Sequence, residues 1–298
     1  MAFAKAKFTA ALAVACISVS TRAARADEAA PPDVPPADRA ASRAIDRSWL
    51  YLDDARVAQP GAVVGSTSVA YTNVGSNPDP TSQPYRAFAG NTAQPGALAS
   101  VGAEVGVLPR ISLDALGQMQ VGGEGPGVHP GALAGARFDL TPPSWSAVHM
   151  TASGGYLRET WSTPSDSMPR ELLMRDSGGA NGAWASFAVA ADVQRLRLGV
   201  TTLGEHVFAP GRDAVDIMLQ AGMSYRALRW LRAGVEWVGQ DLEESFADAS
   251  EGGARHFVGP TAAVQLLQDR LTIVAGPSVG LSSRSPSLLG RLAVAYGF

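Results

Sequence analysis

Arg229-Trp230-Leu231-Arg232-Ala233-Gly234-Val235-Glu236-Trp237-Val238-Gly239-Gln240-Asp241 is the stretch on which the fold turns. Arg232, Glu236 and Gln240 fall on one parity, and Leu231, Ala233, Val235 and Trp237 on the other. Successive side chains of a strand point to opposite faces, so this spacing predicts a strand with one polar and one apolar face. The same division recurs along the chain. In 131–141, Arg137 and Asp139 oppose Ala134, Ala136, Phe138 and Leu140. In 195–204, Arg195 and Arg197 oppose Leu196, Leu198 and Val200. In 214–226, Asp216, Gln220 and Arg226 oppose Ile217, Leu219, Met223 and Tyr225. Lone charges sit among small or polar neighbours, Glu104 with Ser100 and Gly102, and Asp114 with Ser112 and Gln118.

Twelve segments of this texture run from residue 62 to the last residue, near 62–72, 96–107, 111–121, 131–141, 146–157, 180–192, 195–204, 214–226, 229–241, 254–267, 271–281 and 286–298. Each is close to the roughly nine to eleven residues that a tilted strand needs to cross the hydrocarbon of a bilayer. Short connections such as Leu108-Pro109-Arg110 and Gln268-Asp269-Arg270 alternate with longer polar ones near 73–95, 122–130, 158–179, 205–213 and 242–253. A soluble sandwich alternates too, with its apolar face inside. Its solvated face would carry more charge, whereas here the polar face is mostly Gly, Ser, Thr and Ala. In lipid every backbone polar group must be paired, so the sheet must close, with its apolar face outward. The expectation is an all-β fold, an antiparallel up-and-down transmembrane β-barrel of about twelve strands. Tyr71, Trp145, Tyr156, Tyr225, Trp230 and Tyr296 lie near strand ends, where aromatic girdles or ordinary packing would place them.

The last segment reads Leu288-Leu289-Gly290-Arg291-Leu292-Ala293-Val294-Ala295-Tyr296-Gly297-Phe298, with Leu292, Val294, Tyr296 and Phe298 on one face. This resembles the terminal signal of bacterial outer-membrane β-barrels, a broad porin-like class. Those proteins end in an aromatic residue preceded at two-residue steps by aromatic or aliphatic ones. The resemblance covers residues 62–298. It implies that Leu292, Val294, Tyr296 and Phe298 are read by the outer-membrane β-barrel assembly machinery, and that the lipid bilayer of the outer membrane is the destination.

Export is read independently. Lys5 and Lys7 precede the short apolar run Phe8–Val19, and Ala24 and Ala26 bracket Arg25 as a cleavage signature. Residues 1–26 are therefore expected to be a signal peptide, with Asp27 following the cut. An alternative makes Leu12-Ala13-Val14-Ala15-Cys16 a lipobox, although Ala13 is a poor match for the large aliphatic residue usual there. Cys16 is the single cysteine, so a chain cut after Ala26 has no disulfide framework, Cys-ligated metal or Cys nucleophile. Removing Lys5, Lys7, Arg22 and Arg25 takes the formal charge of −3 to −7, which disfavours nucleic acid as a partner. Residues 27–61 form a Pro/Ala-rich periplasmic extension. The apolar knot Trp49-Leu50-Tyr51-Leu52 within it reads as a short helix, a plug or a docking segment.

The inward faces would carry Glu104, Asp114, Arg137, Asp139, Arg197, Arg226, Arg232, Glu236 and Arg291. These charges could line a water-filled path and set its selectivity, or pair across the lumen and close it. Twelve strands lie between the filled eight-stranded barrel and the open sixteen-stranded porin. Small inward residues (Gly102, Gly199, Gly222, Gly234, Gly276 and Gly280) leave space for a narrow pore. The leading expectation is a narrow channel or transporter for small solutes that needs no cofactor. The alternative is a structural or docking barrel whose extension contacts periplasmic partners. A barrel-embedded hydrolase comes last. No P-loop, GxSxG, HExxH or CxxC motif is present, and the nearest nucleophile–base pair is His149 with Ser153, at i and i+4 on one face. His129, His206 and His256 near one rim make a metal site conceivable, with unrelated surface histidines the blander reading. The acidic loop 242–253, with Glu243, Glu244, Asp248 and Glu251, reads as solvated.

Overall fold

The computed structural model describes residues 49, 52, 53, 55–72, 96–122, 128–159, 180–208, 215–240, 242, 255–282, 285 and 287–298. The expected signal segment with Ala24 and Ala26, the Pro/Ala-rich residues 27–40, and all of 242–253 but Leu242 lie outside them. Twelve strands follow in chain order. They are β1 (Val63–Thr72), β2 (Gly96–Leu108), β3 (Ile111–Gly122), β4 (Val128–Asp139), β5 (Val148–Glu159) and β6 (Ala180–Val193). The second half adds β7 (Leu196–Val207), β8 (Asp216–Leu228), β9 (Leu231–Gln240), β10 (Arg255–Leu266), β11 (Leu271–Gly280) and β12 (Leu288–Gly297).

Each strand pairs antiparallel with its neighbours in sequence, and β1 pairs with β12 to close the barrel. That closing seam holds nine consecutive residue pairs, from Val64↔Gly297 to Thr72↔Leu289. The short turns, the start of β1 and the end of β12 lie at one end, where the Phe298 amide donates to the Val63 carbonyl at 2.9 Å. Left-handed residues make the tight reversals there, Arg110 after β2, Gln194 after β6, and Leu267, Gln268 and Asp269 after β10. Arg195 belongs to such a turn: β7 begins one residue later, and Arg195 is exposed.

The faces divide as the parity requires. Val69, Val101, Val105, Leu113, Met119, Phe138, Phe187, Met223, Val279 and Leu292 point out of the barrel and are exposed. An apolar surface of this extent is stable against hydrocarbon and costly against water. Aromatic side chains mark both edges of it, Trp145, Tyr225 and Trp230 at the short-turn end and Tyr71 and Tyr156 at the other. Arg158 also lies on the outward parity, close to the end of β5. There it donates to Asn181 Oδ1 at 2.7 Å, beside the hydroxyl of Tyr156 that donates to the same oxygen. From the long-connection end down to Ala263 and Val274, three residues from the short turn after β10, the lumen holds a buried apolar cluster of Ala70, Met218, Val238, Phe257, Ala263, Val274 and Leu289.

Candidate functional site: a plugged lumen

The described part of residues 49–60 is lodged inside the short-turn half of the barrel. Trp49, Leu52, Ala55, Val57 and Ala58 are all buried, with Trp49 only 5% exposed. Of the apolar knot, Trp49 and Leu52 lie where a plug would. Both side chains fill the lumen. The barrel wall is shaped to admit them. A Cβ on Gly199 would stand 2.9 Å from Leu52 Cδ2 and 3.3 Å from the Trp49 ring, and one on Gly222 would stand 3.1 Å from that ring. At the mouth a Cβ on Gly106 would fall 1.9 Å from the Gln59 carbonyl oxygen, so the chain can cross the wall only at glycine. The Gly61 amide donates to the Gly106 carbonyl (2.8 Å), and the Gly106 amide donates to the Ala62 carbonyl (3.0 Å).

Inward charges hold the segment at two nodes. In the first, Glu104 Oε1 accepts from the Ala58 amide at 2.8 Å and from Ser112 Oγ at 2.6 Å. Arg137 stands 3.8 Å from the same carboxylate, donates to the Asp53 carboxylate, and donates to the Arg56 carbonyl at 3.0 Å. In the second node, Asp192 takes both prongs of the Arg197 guanidinium (2.7 and 2.9 Å) and a further bond from Arg56 at 2.7 Å. Between the nodes, the Asp53 amide donates to Thr201 Oγ1 at 3.1 Å and the Leu52 amide to Glu236 Oε2 at 3.4 Å. Burying a charge is costly unless it is paired and hydrogen-bonded. These side chains satisfy that demand largely with one another and with the plug.

Of the residues expected to line the lumen, Glu104, Arg137, Arg197, Arg232 and Glu236 are buried within it. Asp114, Arg226 and Arg291 are half-buried on the inward parity. Arg232 donates to Ser224 Oγ and Arg291 to Ser68 Oγ, each at 3.4 Å. Asp139 serves the short-turn rim instead, accepting from the Thr141 amide at 2.8 Å and standing 4.0 Å from Arg110. Past the plug lies a cavity of about 280 Å³. Trp49 and Asp53 line one side of it, and Trp184, Glu205, Gln220 and Arg291 are among the wall residues.

Sequence reasoning did not include Asp53, Arg56 or Asp192 in the lumen. The signal was present, because an apolar knot followed by an acid and a base is what a plug needs to meet walls carrying Arg137 and Asp192. Sequence reasoning also drew together groups that the barrel keeps apart. His149 and Ser153 both face inward, but four residues of strand separate them by roughly 13 Å, beyond hydrogen-bond reach. Ser153 Oγ instead accepts from Ser186 Oγ at 3.2 Å. His206 packs edge-on against Phe208, with ring centroids 5.1 Å apart. His256 stacks on Trp237 with centroids 5.7 Å apart and lies on β10, three strands removed from the β7 that carries His206. Among the described residues no three His, Cys, Asp or Glu side chains converge as metal ligands.

No protein-family model matches the chain. No curated protein matches it. Solved structures do. An outer-membrane channel from Pseudomonas putida F1 superposes with a TM-score of 0.55 at 10% identity, over 83% of this chain and 100% of that one. KdgM porin gives a TM-score of 0.45 at 12% identity over 78% and 99%. The translocator domain of the autotransporter NalP from Neisseria meningitidis gives 0.44 at 14% over 87% and 93%. The first of these likenesses shows a shared barrel fold.

Proposed function

We propose that this chain is an outer-membrane channel for small solutes, closed in the described state by its own residues 49–60. The observation that carries the reading is the fitted plug, in which Trp49 and Leu52 fill the space left by Gly199 and Gly222 while Glu104, Arg137 and Asp192 bond the segment that follows. A barrel meant only as a scaffold would fill its interior from its own wall. Here the filler is a separate segment outside the twelve-strand ladder, tied to it at its end by the Pro60–Gly106 bridge. The exposed apolar face and the shared fold with an outer-membrane channel support the location. The inward charges then have two tasks, holding the plug while it is seated and lining a polar path once it is gone.

The test is conductance in planar bilayers. The full chain is expected to show rare, discrete openings, and a chain lacking residues 49–57 is expected to show long-lived ones of the same unit size or larger. Folded protein that gives no steps in either form overturns the reading.

A further inference from the structure

The ladder between β10 and β11 is interrupted. Val258 pairs with Val279 and Ala262 with Ala275, but the three residues between them on each strand are not paired across this seam. Gly259, Pro260 and Thr261 remain paired with β9, and Gly276, Pro277 and Ser278 with β12. The register sets Pro260 directly opposite Pro277. Neither has an N–H. A hydrogen-bonded antiparallel pair exchanges two N–H···O=C bonds, and two prolines at such a pair remove both. His256 and Leu281 bond across the same seam at 2.8 Å, which puts the bonded pairs on even residues of β10 and so includes Pro260. The flanking bonded pairs then stand four residues apart, roughly 13 Å, twice the usual interval. The other eleven seams run unbroken between their described ends, apart from irregularities beside the turns after Gly106 and Arg226.

Close backbone contact shuts the wall at this level. A Cβ on Gly259 would stand 2.0 Å from the Pro277 carbonyl oxygen and 2.6 Å from Ser278 Oγ, so β11 closes over a bare Cα. On the lipid side Pro260 and Pro277 are exposed. On the lumen side the unpaired stretch presents Gly259, Thr261, Gly276 and Ser278, and it is flanked above and below by Phe257 and Ala263 from β10 and Val274 from β11, all members of the buried apolar cluster. The interrupted ladder, the apolar side chains that flank it in the lumen and the plug that blocks the short-turn end point the same way. We propose that the β10–β11 seam is a lateral exit, through which a small uncharged apolar solute passes from the lumen into the hydrocarbon of the membrane. This deepens the channel reading and rests on it. A charged or strongly polar solute gains nothing from this route, because lipid would strip its water without replacing it.

The test uses cells with a lipopolysaccharide outer leaflet that produce the full chain in a Cys16→Ser background. The probe is N-phenyl-1-naphthylamine, a neutral aromatic that fluoresces on entering hydrocarbon. Producing cells are expected to take it up several-fold faster than cells without the protein. A Val258→Cys/Val279→Cys pair sits at a bonded position, about 5.5 Å between Cα atoms, within disulfide reach. Its oxidation is expected to return uptake to background and its reduction to restore it. The same bond at a continuous seam, Phe138→Cys/Ala152→Cys, is expected to change nothing. A Pro260→Val/Pro277→Val chain, which regains both donors, is expected to slow uptake as well. Uptake that persists through the formed Val258–Val279 crosslink, that falls equally with the control crosslink, or that never exceeds background overturns the proposal. Conductance of the plug-deleted chain is read separately. If it persists while uptake ignores the Val258–Val279 crosslink, the lateral route fails and the channel reading stands.

Discussion

Trp49→Ala tests the plug with the least disturbance to the barrel, because Trp49 belongs to the segment and not to the wall. The ring is buried against Gly199 and Gly222. Truncating a buried tryptophan costs roughly 3–5 kcal/mol where the site cannot collapse. Water can enter the vacated space here, so the low end applies, about 3 kcal/mol. When the plug is displaced, the side chain at position 49 makes no such contacts, so nearly all of this falls on the seated state. With about 1.4 kcal/mol per tenfold change, the open-to-closed ratio should rise on the order of 100-fold. Single-channel recording reads that ratio directly as the open fraction, and the unit conductance should stay the same, since the pore left behind is unchanged. Trp230→Ala is the control: that ring is outward and exposed at the short-turn end, and its loss should leave gating alone. If the open fraction of Trp49→Ala stays within about threefold of the parent while the barrel is intact, the seated segment does not control the path.

Three further outcomes follow from the same geometry. Gly199→Leu places side-chain atoms where Leu52 and Trp49 sit, so it should raise the open fraction and speed tryptic cleavage at Arg56, read by mass spectrometry of the fragments. Val101→Arg and Ser100→Arg change adjacent residues on opposite faces of β2. The first puts a charge on a lipid-facing position that is 66% exposed and should cost roughly 2–4 kcal/mol in urea unfolding from lipid, while the second should leave stability nearly unchanged and narrow the cavity. Deleting Phe298 removes its edge contact with Tyr296, at a centroid distance of 4.9 Å, and its amide bond to the Val63 carbonyl across the closing seam. The fraction of heat-modifiable, assembled barrel seen on electrophoresis should fall and its formation should slow.

How much of this could be read from the sequence follows from the range of the forces involved. Strand number and facing are local, because a period of two repeats every few residues and lipid punishes each error. Residues 96–107 and 271–281 were therefore read almost to the residue, against Gly96–Leu108 and Leu271–Gly280. The plug is not local. Its seat is built from Gly106, Gly199 and Gly222, scattered over β2, β7 and β8, and no periodicity ties these glycines to Trp49. Gly199 and Gly222, read alone, signalled empty space, and that space is where Trp49 and Leu52 lie. The proline pair is an intermediate case. Pro260 and Pro277 are plain in the sequence, and only register decides what they do. Leu266 pairs with Leu271 across the four turn residues 267–270, and counting back from there brings the two prolines face to face. A turn one residue longer would have shifted its centre by half a residue, set Pro260 against Ser278 and kept one donor in the gap. Three successive left-handed residues, Leu267, Gln268 and Asp269, fix that centre, so the weakest level of the barrel wall is set by a turn at its edge.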